Sequence, residues 1–203
     1  RKAYNISYQR RYFVVKWSKK GSVIMWISII IICVVGTLLH FLYEFSGHNK
    51  VVALFAAVNE STWEHIKIAL TPMIFYSLYD GYKYGMNGNY FSAKLISLVL
   101  IMVLIPVIFY SYKAVTKKAI LPIDIMTFYV VIVIAQLAFY KILELPNFSY
   151  MIEYLSVVGL FFVFGMYMTL TLAPLKNIIF EDPISSKYGI EGHTEFEHEH
   201  DKK

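Results

Sequence analysis

Val58-Asn59-Glu60-Ser61-Thr62-Trp63-Glu64-His65-Ile66-Lys67 places two carboxylates, an imidazole and an ammonium immediately before the apolar run 68–79. An ionised side chain at the centre of a bilayer costs about 2.5 kcal/mol or more, so charge here must face protein or water and is a natural marker of a site. The stretch also decides the topology. If residues 62–79 form a crossing helix the chain spans five times, and if they dip and return it spans four times.

The surrounding composition identifies the solvent. Of 203 residues, 58% are hydrophobic and only 16% charged, too apolar for an ordinary soluble domain, so the lipid bilayer is the expected partner. Stretches 23–45, 91–112, 121–143 and 151–173 are each long enough to cross a hydrocarbon core about 30 Å thick. The formal charge of +5 does not imply nucleic acid, because Arg1, Lys2, Arg10, Arg11, Lys16, Lys19 and Lys20 gather before the first span. Such a flank stays inside, which predicts a cytoplasmic N-terminus. The first span is too long for a removable signal peptide and lacks a small-residue cleavage site. A lone Cys33 within it leaves no intramolecular disulfide framework and no thiolate zinc cluster.

The expected fold is therefore all-α, a polytopic transmembrane bundle over residues 1–190 followed by a disordered acidic and histidine-rich tail, 191–203. Five spans are favoured over four spans plus a re-entrant hairpin at 51–79. A helix over 62–79 is about 27 Å long at 1.5 Å per residue, enough to cross with modest thinning. Ser61-Thr62-Trp63-Glu64 matches a capping box, which gives that helix a start, and Pro72 in its middle predicts a kink whose freed carbonyl a neighbour must satisfy. The lysines at 113, 117, 118, 176 and 187 argue for four, since only then are they cytoplasmic.

Five crossings bring a polar group together at the outer end. His40 and Glu44 lie one turn apart on one face of the first helix, and the next helix begins at the same depth with Glu64 and His65. These four are the expected metal ligands, because imidazole with carboxylate suits Zn²⁺, Mn²⁺ or Fe²⁺. Asn59, Glu60, Trp63 and Asp124, the last at the head of the fourth span, are the expected ligand-binding residues around them. Each has a plain structural alternative: Glu64 as a cap, Glu60 on the helix dipole, Lys67 paired with Glu64. Yet Glu60 and Glu64 repel one another at helical spacing unless a cation or proton intervenes. Catalytic signatures such as His-Glu-x-x-His, a phosphate loop or a nucleophile elbow are missing. His40 and His65 as axial haem ligands is a further, weaker option.

Elsewhere, Asp80 is expected at the inner interface, Gln136 to need an interhelical partner, and Gly159 and Gly165 to let the last helix pack closely. Residues 174–190, punctuated by Pro174 and Pro183, are expected to lie on the membrane or fold over the outer face.

The 58–67 segment, with Leu39-His40-Phe41-Leu42-Tyr43-Glu44, Phe180-Glu181-Asp182-Pro183 and Tyr188-Gly189-Ile190, resembles an uncharacterised family of small bacterial multi-pass membrane proteins, over most of the chain to about Ile190. The sequence departs from that pattern at Ala57, where proline is expected. The resemblance supplies no activity. Together with a Lys, Ile, Tyr and Asn bias typical of a low-GC bacterium, it implies the bacterial cytoplasmic membrane. The function expected is an outer-facing His/Glu pocket that binds a cation, such as Zn²⁺, or a small polar ligand, as a transporter-like or sensory component. A membrane-embedded metal-dependent hydrolase and a partner subunit without a site are the alternatives.

Overall fold

The computed structural model describes residues 19–86 and 88–192. The basic arm before residue 19 and the tail beyond residue 192 lie outside the described residues. Five long helices follow one another: α1 (Lys19–Phe45), α2 (Thr62–Tyr84), α3 (Tyr90–Thr116), α4 (Leu121–Leu143) and α5 (Tyr150–Leu172), with a 3-10 turn (Val52–Leu54) between the first two. Among the described residues there are no strands, only an isolated bridge between Glu181 and Tyr188.

Ser22–Phe45, α3, α4 and α5 are each long and apolar enough to cross a bilayer, which marks the chain as a multi-pass membrane protein. Apolar side chains cover much of their outer surface, as expected where the solvent is lipid. The more polar α2 packs against α1 and α3, with 13 of its 23 residues buried, most of them in its first half, while Phe75, Leu78 and Tyr82 stay exposed. Its two ends lie at opposite ends of the bundle. Near its start, Thr62 Oγ1 is 3.1 Å from the Tyr110 hydroxyl in the last turns of α3. Near its finish, Asp80 pairs with Lys94 in the first turns of α3, at 2.7 Å.

Pro72 does not end α2. It cannot donate to the carbonyl of Ile68, four residues earlier, and that oxygen meets α1 instead. A Cβ built on Gly36 would lie 2.9 Å from Ile68 O and 2.7 Å from Phe128 Cζ, so only glycine allows α1, α2 and α4 to approach this closely. Gly159 likewise accommodates Leu95, whose Cδ2 would sit 2.7 Å from an added Cβ. Gly165 has nothing within 4 Å, so the expected close packing fails there.

The connection between α1 and α2 runs into the molecule. Ala53 and Ala56 are fully buried, and Val58 nearly so. The Ala57 amide donates to Leu39 O at 3.2 Å, a bond that proline at this position would remove. At the other end of the bundle, Asn89 ties the α4–α5 connection to the start of α3: its Nδ2 donates to Ile142, Leu145 and Pro146 carbonyls, and its Oδ1 accepts from Phe148 N.

Candidate functional site

The turn before α2 is held by the segment that follows α5. Asn59 Oδ1 accepts the Ser61 amide at 2.9 Å, and its Nδ2 donates to Gly189 O at 2.9 Å. The Glu60 amide donates to Asp182 Oδ1 at 3.1 Å, while Asp182 Oδ2 accepts the amide and the hydroxyl of Ser185, both at 2.7 Å. Trp63 donates its amide to Ile179 O at 2.8 Å and packs its ring 4.9 Å from that of Phe180. Residues 174–192 thus fold over this end of the bundle, one of the two placements expected. Asn59 and Trp63, expected as ligand-binding residues, hold the turn in place. Gly189 has φ +58, and a Cβ there would press on Pro174 at 3.1 Å, so the Tyr188-Gly189-Ile190 turn requires glycine.

With its backbone anchored, Glu60 extends its carboxylate between two imidazoles. His40 Nε2 is 3.6 Å from Glu60 Oε1 and His65 Nε2 is 3.7 Å from Glu60 Oε2, with the two rings 5.6 Å apart. The ligand atoms of these three residues all lie within 4.8 Å of one another. Both histidines address different oxygens of one carboxylate, and neither comes within hydrogen-bonding reach. The tautomer of His65 follows from its other nitrogen. Nδ1 is 3.0 Å from Ser61 O, a carbonyl that can only accept, so Nδ1 carries a proton. In the neutral ring Nε2 then presents a lone pair to a carboxylate, an arrangement that is repulsive unless a cation lies between them. The site is reachable from outside, with side-chain exposures of 29% for His40, 32% for His65 and 44% for Glu60.

The structure brings together His40 and His65 as expected, but supplies Glu60 as the carboxylate. Glu44 is exposed and stands outside the group. Glu64 is 2% exposed and committed elsewhere: it lies 2.5 Å from Lys67 Nζ and accepts the Val58 amide at 3.0 Å. Lys67, fully buried, also donates to Ala53 O at 2.8 Å. The capping box is therefore half formed. Ser61 Oγ accepts the Glu64 amide at 3.4 Å, but the Glu64 carboxylate reaches Val58 rather than Ser61. The haem option fails on geometry, since two rings 5.6 Å apart converging on one carboxylate leave no room for a macrocycle.

Asp124 joins the site from α4. It lines a cavity of about 270 Å³ together with Glu60, His65, Thr62 and Thr127, closed by apolar side chains including Phe109 and Phe128. The Tyr112 hydroxyl donates to Asp124 Oδ1.

Sequence reasoning missed a second polar centre at the far end of the bundle. Asp80 is fully buried and pairs with Lys94, which also lies 3.7 Å above the ring of Phe139. Beside this pair Gln136 donates to Ser28 Oγ at 2.8 Å, the interhelical partner its depth demands. A signal was available in Lys94 itself, a cation near the start of a span whose charge had no assigned partner.

The chain belongs to a family of unknown function, DUF6512, whose model matches residues 13–190. Neither a search of curated proteins nor one of solved structures gives a match.

Proposed function

We propose that this is a five-span protein of the bacterial cytoplasmic membrane, N-terminus inside, whose outer end binds a divalent transition-metal ion such as Zn²⁺ through His40, Glu60 and His65. It acts as a transporter-like or sensory component. The observation that carries the reading is the convergence of two Nε2 atoms on one carboxylate, with His65 Nδ1 held by Ser61 O so that Nε2 is free to ligate. Ligand bonds of about 2.0–2.1 Å give tetrahedral edges of about 3.3–3.4 Å, so ligand atoms that now lie within 4.8 Å of one another close on the ion by side-chain adjustment of up to about 1.5 Å. The carbonyl held by Nδ1 is the usual support for a metal-bound imidazole. Five crossings are supported by α2 itself, 23 residues or about 34 Å at 1.5 Å per residue, running from one end of the bundle to the other.

A hydrolase is the second reading, favoured by one observation: Glu60 and His65 line a cavity that also holds Asp124. Two histidines and a glutamate with a fourth position open are a donor set used by catalytic zinc. The ion would lower the pKa of a bound water, and Asp124 would accept its proton as the water attacks a carbonyl.

The test is metal analysis of the purified full-length protein followed by zinc titration. One Zn²⁺ per chain is expected, with His40→Ala, Glu60→Gln and His65→Ala each weakening affinity by more than the roughly 10–100-fold that loss of a ligand's supporting hydrogen bond causes. Glu44→Gln should retain wild-type affinity. Turnover of an amide or ester by the zinc-loaded protein, lost in Asp124→Asn, would select the hydrolase. Absence of zinc binding would leave the third class, a partner subunit without a site.

A further inference from the structure

We infer that the cavity between α2, α3 and α4 binds a small neutral amphiphile, a short aliphatic chain carrying an amide head, with the head held between the metal and Asp124. The inference rests on the metal reading above and goes beyond it by naming the ligand class. It is the cavity that sets this class, through its size, its walls and its charge.

Size sets the upper limit. About 270 Å³ holds a molecule of roughly ten non-hydrogen atoms, given about 30 Å³ per molecule in liquid water. The walls exclude a fully polar guest. Ile105, Phe109, Leu121 and Phe128 line one part of the space and Pro183 with Ile184 another, so most of any ligand surface meets hydrocarbon. Polar groups are confined to Glu60, His65, Thr62, Thr127 and Asp124. Thr62 already shares a hydrogen bond with the Tyr110 hydroxyl at 3.1 Å, and Asp124 is the charged acceptor of the lining set apart from the ligand group.

Charge selects the head. The dication faces two carboxylates, Glu60 and Asp124, so the site is already balanced and an anionic head would meet Asp124 unfavourably. A neutral amide supplies both complements: its carbonyl oxygen has a lone pair for the metal's open position, and its N–H groups donate to the Asp124 carboxylate. Asp124 is held for this role by the Tyr112 hydroxyl, which occupies one of its two oxygens. The overlying segment contributes Pro183 and Ile184 to the lining, with Ala119 from the connection before α4.

The experiment uses full-length protein in phosphatidylcholine nanodiscs, hexanamide as the probe and hexanoate as the anionic comparison, each titrated with and without Zn²⁺. Ala119→Trp protein in the same nanodiscs gives the baseline for partition into lipid, and Thr127→Phe fills the cavity from α4. Hexanamide should bind the zinc-loaded protein above that baseline and lose the signal in both cavity variants, while zinc affinity stays unchanged. Asp124→Asn should weaken hexanamide about tenfold, the cost of losing one charged acceptor, and should narrow its advantage over hexanoate. Zinc binding without hexanamide binding, or hexanoate binding more tightly than hexanamide, would overturn this inference and leave the metal site standing. Hexanamide binding that persists without zinc and in His65→Ala would overturn it too, by removing the metal from recognition. Failure of zinc to bind at all would overturn both readings, and the zinc titration alone would reveal that case.

Discussion

His65 and Glu64 are adjacent in the chain and have opposite fates. The helix turns His65 toward α1 and Glu60, and turns Glu64 inward onto Lys67, where both charges are desolvated together. Breaking such a buried pair leaves one charge uncompensated and costs about 3–5 kcal/mol, whereas replacing both partners by neutral groups of similar size is close to neutral. Lys67→Met is therefore expected to lower thermal stability sharply, and Glu64→Gln combined with Lys67→Met to recover most of it, with zinc bound per folded chain unchanged in the double variant. Unfolding followed alongside metal content checks both. Loss of zinc from a stable double variant would return Glu64 to the ligand set. Five alternating crossings made it legible that His40, His65 and Asp124 lie near one end of the bundle, but the sequence points to Glu44 and Glu64 as the carboxylates where the structure sets Glu60. Spacing alone does not separate Glu60 from Glu64. That choice depends on Asp182, which fixes the Glu60 backbone from far along the chain, and on the Val58 amide and Ala53 carbonyl, which complete the partners of Glu64 and Lys67.

At the level of elements, the helices were readable from hydropathy and the start of α2 from Ser61, yet the reason α2 tolerates Pro72 was not. The answer lies on another helix, in the bare Cα of Gly36 facing the carbonyl that proline releases. Gly36→Ala should destabilise the protein by about 1–3 kcal/mol, since the added methyl meets backbone oxygen and a ring that cannot both move. Gly165→Ala, with open space around it, should be neutral or slightly stabilising, because it removes a flexible residue from a helix. Thermal melts of the two variants in one detergent make the comparison, and equal melts would refute the close contact. The overlying segment admits a similar test. Asp182→Ala removes the acceptor for the Glu60 amide and should weaken zinc binding by about 1 kcal/mol or more without touching a ligand. Unaltered zinc affinity in that variant would mean that the turn holds its shape unaided.

For the molecule as a whole, alternating helix directions place residues 174–192 at the same end as His40, so five crossings from an inside N-terminus put this segment outside. A single cysteine at Ser186 in a Cys33→Ala background should react with an impermeant thiol reagent in intact cells. Reaction only after the membrane is opened would restore the four-span topology that the lysine distribution favours. The same arrangement constrains how the protein is made. On the proposed five-span topology, α2 leaves the ribosome carrying Glu64, Lys67 and Asp80, each of which raises the cost of lateral release into lipid. Glu64 and Lys67 neutralise each other within one turn, but the counter-charge of Asp80 is on Lys94 and does not exist until α3 has been synthesised. On that topology, nascent α2 is held beside the translocon until α3 arrives, and the two helices then enter the bilayer as a hairpin sealed by the Asp80–Lys94 pair.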